Sequence, residues 1–505
     1  MSWGAGYVTD IAYMPGYYVQ QSPDRLVLSA LIAGFETPYA PGTAQREHLT
    51  YLELGCGEGL GALVLAASNP GWRVIGVDFN PAHIAGATRL AQQAGLENVT
   101  FLEADLATLA GTPQAAAIPP VDVASLHGVW SWVPEPVQSG IVRLLADKLR
   151  PGGLAHVSYN CLPGWQSGLA MQRVIRETGR RLPARSDRQA AAGIDLARAL
   201  ADAGGEQLCR MPLATHMLGE LADMPPEYVA HEYMNAAWAP CWHADVAGRM
   251  AEAKLEWIAT AQPLDGFLDL MLTPEQRAVH DRTEDPLLRE LIKDVCANRL
   301  LRHDLYVRGA RRLSEGERDA RLAGLTLALS VPADGFDYEV SVPAGRAGMT
   351  EAVYRPMVTA LARRPQRVAE LVALPELAGR RHNLPEIVAM LAGSGQTVVL
   401  ARPDSVQDEA AARFNAAAAR GLVRLDRLAR GMAAASTRLG AGYVLPLAEL
   451  FLMQRMREAG GALAPHILAA ELAPGLEEQA QARLVETIGK GLATQPPIWR
   501  MLGLL

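Results

Sequence analysis

The five cysteines of this sequence are odd in number, widely scattered and form no CxxC pair. That excludes a disulfide framework and a cysteine-built zinc cluster of ordinary spacing. The start, MSWGAGYVTDIAYMPGYY, lacks the basic and apolar regions of a secretory leader, and no apolar run approaches the ~18 residues that a membrane span needs. Positive charge is scarce too: 47 Lys and Arg stand against 54 Asp and Glu, a formal charge of -7. No basic tail draws the molecule to nucleic acid or anionic lipid. A reducing cytoplasm is the expected location, with neither nucleic acid nor a membrane span as partner. Lysine is rarest of the charged residues, at Lys148, Lys254, Lys293 and Lys490 alone, and aromatics make up only 6%.

What is present is a long, half-hydrophobic chain. Its 505 residues, 20% charged, have a mean hydropathy of +0.05, which fits a soluble globular protein of about three domains at ~150 residues each. The stretch GFETPYAPGTAQREHLT, residues 34–50, reads as a linker because it is rich in Pro, Gly and Thr. From Tyr51 to Asn160, the apolar runs TYLEL, RVIGVD, VTFLEAD, VDVASLH and LAHVSYN alternate with helical stretches. That alternation predicts βαβ units around a mostly parallel sheet. Beyond Pro163, Ala/Leu/Arg helices dominate. From about Leu325, LALSVPADGFDYEVSV predicts a hairpin around Asp334-Gly335, and RPQRVAELVA, NLPEIVAMLAGSG and TVVLARP predict helix, helix and strand in a winged-helix-like order. In an acidic chain without a basic recognition helix, these elements are expected to serve packing and dimerisation.

The chemistry concentrates in YLELGCGEGLG, Tyr51 to Gly61, between a strand and the helix ALVLAAS. Gly55, Gly57 and Gly59 let the chain turn tightly and bring bare backbone against a ligand. The following helix N-terminus then offers free N–H groups. Taken alone, the loop also satisfies the G-x-G-x-x-G/A pattern of dinucleotide sites. The surrounding acids narrow the reading: Glu53 stands inside the strand before the glycines, Asp78 ends the second strand, and Asp105 ends the third in FLEADL. A carboxylate at Asp78 can accept from both hydroxyls of a ribose, and one at Asp105 from an adenine amino group.

In this order and spacing, ELGCGEG, GVDFNPAHI, FLEADL and LRPGG resemble motifs I, II, III and VI of the class I AdoMet-dependent methyltransferases. More narrowly, IAYMPGYYVQQSPDRL, HGVWSWVPEPV, HVSYNCLPGW and EYVAHEYMNAAWAPCWHADVAGRMAEAKLEWIATA resemble the bacterial methyltransferases with a methyltransferase regulatory domain, which include the rickettsial lysine methyltransferases that modify outer-membrane protein. The resemblance runs from about Tyr7 to Arg312 and more loosely through the last third. It implies an α/β fold: a Rossmann-like, seven-stranded class I methyltransferase domain, then a mostly helical regulatory domain, then a winged-helix-like C-terminal domain. The expected limits are 1–45 for an N-terminal lid segment, 46–165 for the AdoMet-binding domain, 166–320 for the helical middle domain and 321–505 for the C-terminal α/β domain. Pairing as a homodimer is common in that family.

The resemblance also assigns roles. S-adenosyl-L-methionine is the cofactor and S-adenosyl-L-homocysteine the product. Gly55, Gly57 and Gly59 are expected under the methionine and ribose, Asp78 at the ribose, Asp105 with Leu106 at the adenine, and His127 at the sulfonium end. Glu53, Cys56 and Phe79 stand beside these motifs and Tyr13 and Tyr18 in the lid, so all five are counted with the cofactor site. The expected catalytic group is His127, Trp130, Trp132, Tyr159 and Asn160. Trp165 and Tyr17 are further candidates for the pocket wall and its cover. His231, Cys241 and His243 lie in one short segment without a fourth ligand of suitable spacing, so no metal is expected; Glu232, Trp238 and Trp242 are expected in that domain's core. The expected reaction is in-line N-methylation of a lysine side chain in a protein substrate. A small-molecule acceptor is the first alternative, and a non-catalytic AdoMet-binding regulatory protein is the second.

Overall fold

In a computed structural model, residues 6–11, 16–40, 42–221, 224–380, 382–422, 431–459 and 463–505 are described. Seven strands form the central sheet: β1 Thr50–Leu54, β2 Arg73–Asp78, β3 Val99–Glu103, β4 Val121–Leu126, β5 Leu149–Asn160, β6 Leu255–Thr260 and β7 Leu301–Arg308. Their order is β3-β2-β1-β4-β5-β7-β6. The first five run parallel, and β7 lies antiparallel between β5 and β6. The order reverses beside β1, so the carboxyl ends of β1 and β4 frame the crevice where ligands of open α/β sheets bind.

Local chemistry explains the helices around that crevice. Pro81–Ala94 starts with Asn80 accepting from the Ala82 N–H and stops at Gly95 in the left-handed conformation (φ 62°). Leu60–Ser68 is buried along its whole length. One side faces the sheet, and the other receives an antiparallel hairpin from the C-terminal region, Gly431–Ser436 with Ala441–Pro446. A helix apolar all round is the expected result of packing on both sides.

The structure departs from the expected arrangement in three places. The sheet does not end at residue 165: β6 and β7 return from the region assigned to the helical domain and complete it. The helices from Leu169 to Ala251 are therefore an insertion between β5 and β6. These two strands escape an apolar-pattern reading because β7 buries Arg302, His303 and Asp304. Arg302 pairs with Asp294, Glu290 and Asp304, so the strand looks polar while lying in the core. Second, the segment 1–45 is not all lid. Pro23–Ile32 is a core helix, and the supposed linker after it holds Arg46, fully buried and paired with Asp24, its carbonyl accepting from Trp72 Nε1 at 2.6 Å.

The third shift lies in the C-terminal region. There β8 (Thr326–Leu329) pairs with β11 (Gln366–Arg367) and β12 (Thr397–Leu400). The expected hairpin around Asp334-Gly335 is instead formed by β9 (Glu339–Val342) and β10 (Gly345–Gly348). Helices Glu351–Arg363, Val368–Val372 and Leu384–Gly393 lie between and after these strands in the chain.

Candidate functional site

At the carboxyl ends of β1 to β4 lies a cavity of about 450 Å³, lined among others by Gly55, Gly57, Asp78, Phe79, Asp105 and Leu106, with His127 and Trp132 at one end. Its floor is set by backbone geometry. Gly55 (φ 70°) and Gly59 (φ 72°) sit in the left-handed region. A Cβ on them would meet Val129 at 2.4 Å and Phe101 at 2.5 Å, so neither position admits a side chain. Asp78 fastens this floor: one oxygen accepts from the Gly57 N–H at 2.8 Å and the other from the Asn80 N–H at 2.9 Å. An ionised carboxylate has about four lone-pair sites, so Asp78 retains capacity for two hydroxyls. Asp105 stands exposed at the far rim, its carboxylate accepting from Ala107.

Glu53 and Cys56 do not line this cavity. Glu53 lies beneath the loop, accepting from Gln21 Nε2 at 3.1 Å. Burial raises its carboxyl to about 7 against the hydrogen bonds from Gln21 and Ala62, and a Cβ on Gly61 would touch it at 2.9 Å. The Cys56 thiol is buried, and that burial pushes its pKa well up. Both support the loop from behind.

The acceptor end differs from expectation. His127 has its ring 3.8 Å from that of Tyr18 and its Nδ1 3.1 Å from Ser158 Oγ. Burial, reinforced by His303, holds its pKa down to about 3, so the ring is neutral at physiological pH. Trp132 reaches the cavity, but Trp130 and Tyr159 do not. Trp130 is packed into the core behind it. Tyr159 is fully buried, donating to Asp304, because residues on one strand alternate between faces and its neighbours on that face are core. Trp165 likewise packs edge-on to Trp238 within the helical insertion, 5.0 Å between rings. Asn160, at the end of β5, is buried, its backbone N–H donating to Ser131 Oγ at 2.9 Å, and it does not line the cavity.

The cover of the cavity comes from residues that the sequence reading passed over. Tyr13 lies outside the described residues. Tyr17 turns away, its hydroxyl accepting from the Gly442 N–H at 2.9 Å. Tyr7 is the residue over the cavity, edge-on to Phe79 at 5.6 Å. Burial, then the charges of Asp78 and Glu232, raise its hydroxyl pKa. The segment carrying it is clamped onto the helical insertion by Val8 N–H to Asn235 at 2.9 Å and by Asp10 to Ser186. An aromatic flanked by glycines in GAGYV was the available signal, no stronger than that of Tyr13 or Tyr17.

His231, Cys241 and His243 do not converge. His231 lies beside Tyr7, Cys241 pairs its backbone with Cys161, and His243 Nδ1 meets Asp304 at 2.9 Å. A different trio, His127, His156 and His303, brings ligand-capable nitrogens within 4.8 Å of one another. However, His156 Nε2 and His303 Nδ1 are 3.2 Å apart with centroids at 5.5 Å and planes 8° apart. The two nitrogens therefore face each other along one line, the geometry of a shared proton rather than of two lone pairs meeting at a third point.

A seven-stranded sheet of this order with a glycine loop and strand-end acids around one cavity defines the class I methyltransferase fold. Residues 52–153 match the family described as Methyltransferase domain, and residues 225–308 match that described as Predicted methyltransferase regulatory domain. Uncharacterized protein sll1526 of Synechocystis sp. is 29% identical over 79% of this chain and 77% of that protein. Trans-aconitate 2-methyltransferase of Methylobacterium radiotolerans is 30% identical over 45% of this chain and 72% of that enzyme. Among solved structures, PKMT2 from Rickettsia typhi in complex with AdoHcy matches over 98% of this chain and 99% of its own, with TM-score 0.70 and 18% identity. The chain belongs to the class I AdoMet-dependent methyltransferases with a methyltransferase regulatory domain. Its cofactor is AdoMet, and no helix among the described residues is long and apolar enough to cross a membrane.

Proposed function

We propose that this methyltransferase transfers a methyl group to the ε-amino group of lysine in a protein substrate. The observation that carries this reading is the aromatic character of the cavity, lined by Tyr7, Phe79 and Trp132 together with His127, on whose ring Tyr18 packs. Aromatic faces attract both an ammonium and a sulfonium, and a dry pocket lowers the amine's pKa. A lysine has an unperturbed pKa of ~10.4, so on the order of 0.1% is neutral near pH 7; the site has to raise that fraction.

In this reading Gly55, Gly57 and Gly59 pass under the methionine and ribose, Asp78 holds the ribose hydroxyls, and Asp105 with Leu106 meets the adenine. Phe79 closes over them, and Tyr7, edge-on to Phe79, faces the acceptor side. Bound AdoMet supplies a methyl group on a positively charged sulfur. The residues position the amine in line at ~3–3.5 Å and keep water out, and neutral His127 adds no repelling charge at the sulfonium end. The resemblance to the rickettsial lysine methyltransferases and the whole-chain likeness to PKMT2 support the same acceptor class. Five free cysteines fit action in the cytoplasm, and the family resemblance supports a homodimer.

The likeness to a trans-aconitate methyltransferase favours a second reading, a small-molecule acceptor. A tricarboxylate would want cations, whereas no Lys or Arg is among the described residues lining the cavity and Asp78, Glu103 and Asp105 all do. The decisive experiment is transfer of radiolabelled methyl from AdoMet into a lysate of the source cell, separated into protein and small molecules, with Asp78→Ala as control. Label recovered as methyl-lysine after protein hydrolysis supports the proposal. Label confined to small molecules overturns it in favour of the second reading, and no label above the control supports the non-catalytic one.

A further inference from the structure

The turn after β2 places one further side chain in the cofactor cavity. Helix Pro81–Ala94 opens with Asn80 as its cap, and His83 is its third residue. The His83 ring lines the cavity and is only 6% exposed. Its Nδ1 lies 3.4 Å from Asp78 Oδ1, yet that nitrogen is enclosed and has no hydrogen bond aligned on it. Other buried histidines of the chain are bonded: His156 to His303, His243 to Asp304 and His280 to Asp281. His83 is thus a buried polar ring, at a ligand cavity, whose hydrogen-bonding capacity the protein itself leaves unused.

The contact with Asp78 decides what the ring can offer. In the uncharged imidazole one nitrogen carries the proton and the other a lone pair. A lone pair on Nδ1 would oppose the carboxylate oxygen at a distance that admits no water, so the proton belongs on Nδ1. Nε2 is then an acceptor. Among the described residues none bonds to it, and it is not enclosed as Nδ1 is, so it opens on the cavity that the ring lines. The same turn fixes both groups, because Asp78 Oδ1 also accepts from the Asn80 N–H at 2.9 Å. A carboxylate and an imidazole acceptor therefore stand side by side, and a ribose presents two hydroxyl donors on adjacent carbons, the matching pattern.

We propose that His83 is a second ribose-binding residue: its Nε2 accepts from one hydroxyl of the AdoMet ribose while Asp78 accepts from the other. This rests on the placement of the ribose at Asp78 given above. Asp78 already accepts from the Gly57 and Asn80 N–H groups, so a neighbouring acceptor spares it from turning both hydroxyls toward one carboxylate. The pair selects a nucleoside with both hydroxyls free. His83 touches the cofactor at its ribose and stays away from the reacting atoms, so it acts on cofactor affinity and leaves the transfer step to the acceptor side.

Calorimetry at about pH 8, above the ordinary histidine range, with AdoHcy and its 2′-deoxy and 3′-deoxy analogues tests this. In the native protein each deoxy analogue should bind about fivefold more weakly than AdoHcy, the worth of one hydrogen bond. In His83→Leu, AdoHcy should weaken by about the same factor, and one deoxy penalty should shrink to within about twofold while the other persists. His83→Gln, whose amide oxygen can accept, should restore that penalty. Two unchanged penalties in His83→Leu, or the loss of both together, overturn the assignment. A second check reads the native ring directly. Long-range proton–nitrogen correlation of histidine-labelled protein, with the His83 signal identified by its absence from His83→Gln, should show the proton on Nδ1 and a shift of Nε2 when AdoHcy binds. A proton on Nε2 overturns the proposal. The ribose placement fails separately: native AdoHcy affinity in Asp78→Ala removes it, whereas lost affinity there beside deoxy penalties indifferent to His83 removes His83 alone.

Discussion

One wall of the cavity takes Gly55, Asp78, Asp105 and His127 from the ends of four consecutive strands between residues 55 and 127. The facing side takes Tyr7 and Trp132, with Tyr18 packed on His127, from segments scattered between residues 7 and 132. On the cofactor wall, positive-φ glycines and backbone-bonded Asp78 fix the shape locally. On the acceptor wall the side chains meet only because an inserted helical region and an N-terminal strap pack together. Damage to the first should therefore appear as lost cofactor affinity, and damage to the second as lost turnover with the cofactor still bound.

The sharpest break in that comparison is Trp130, which the sequence places beside Trp132 but the fold places behind the wall. It is 2% exposed, so Trp130→Ala is expected to cost about 3–5 kcal/mol of stability, seen as a large fall in Tm. Trp132→Ala should leave Tm nearly unchanged and lower turnover. A stable Trp130→Ala with only a turnover defect would put Trp130 back in the acceptor wall.

Next in size is Asp78→Ala. It removes the proposed ribose acceptor and releases the Gly57 N–H together, a loss of roughly 1.5–3 kcal/mol for hydrogen bonds to a charged group. AdoMet affinity by calorimetry should fall at least tenfold. Unchanged affinity would mean that the cofactor wall does not run through this carboxylate.

The same contrast explains what could be read from sequence. The first five strands, their glycine loop and the acids at their ends follow from short-range pattern: apolar runs, left-handed turns and strand-end position. Strand β7 did not, because Arg302 and Asp304 are buried through mutual pairing and His303 against His156, which no local pattern reveals. Nor did Tyr7, whose place over the cavity depends on Val8 and Asp10 being held by the helical insertion. Tyr159 and Asn160 are adjacent and both buried, and only the fold shows that neither reaches the cavity.

The smallest expected effect tests the strap. Val8 N–H donates to Asn235 Oδ1, and Asn235 Nδ2 donates back to the carbonyl of His231. One side chain therefore ties the segment carrying Tyr7 to helix Pro226–Tyr233. Asn235→Ala should cost about 1 kcal/mol of strap closure. Because Asn235 touches neither wall of the cofactor cavity, AdoMet affinity should stay within twofold while turnover falls about fivefold, the factor that ~1 kcal/mol corresponds to. Amide exchange at Val8 should quicken alongside. If affinity and turnover fell together, Tyr7 would serve the cofactor rather than the acceptor, and the boundary between the two walls would move to the other side of that ring.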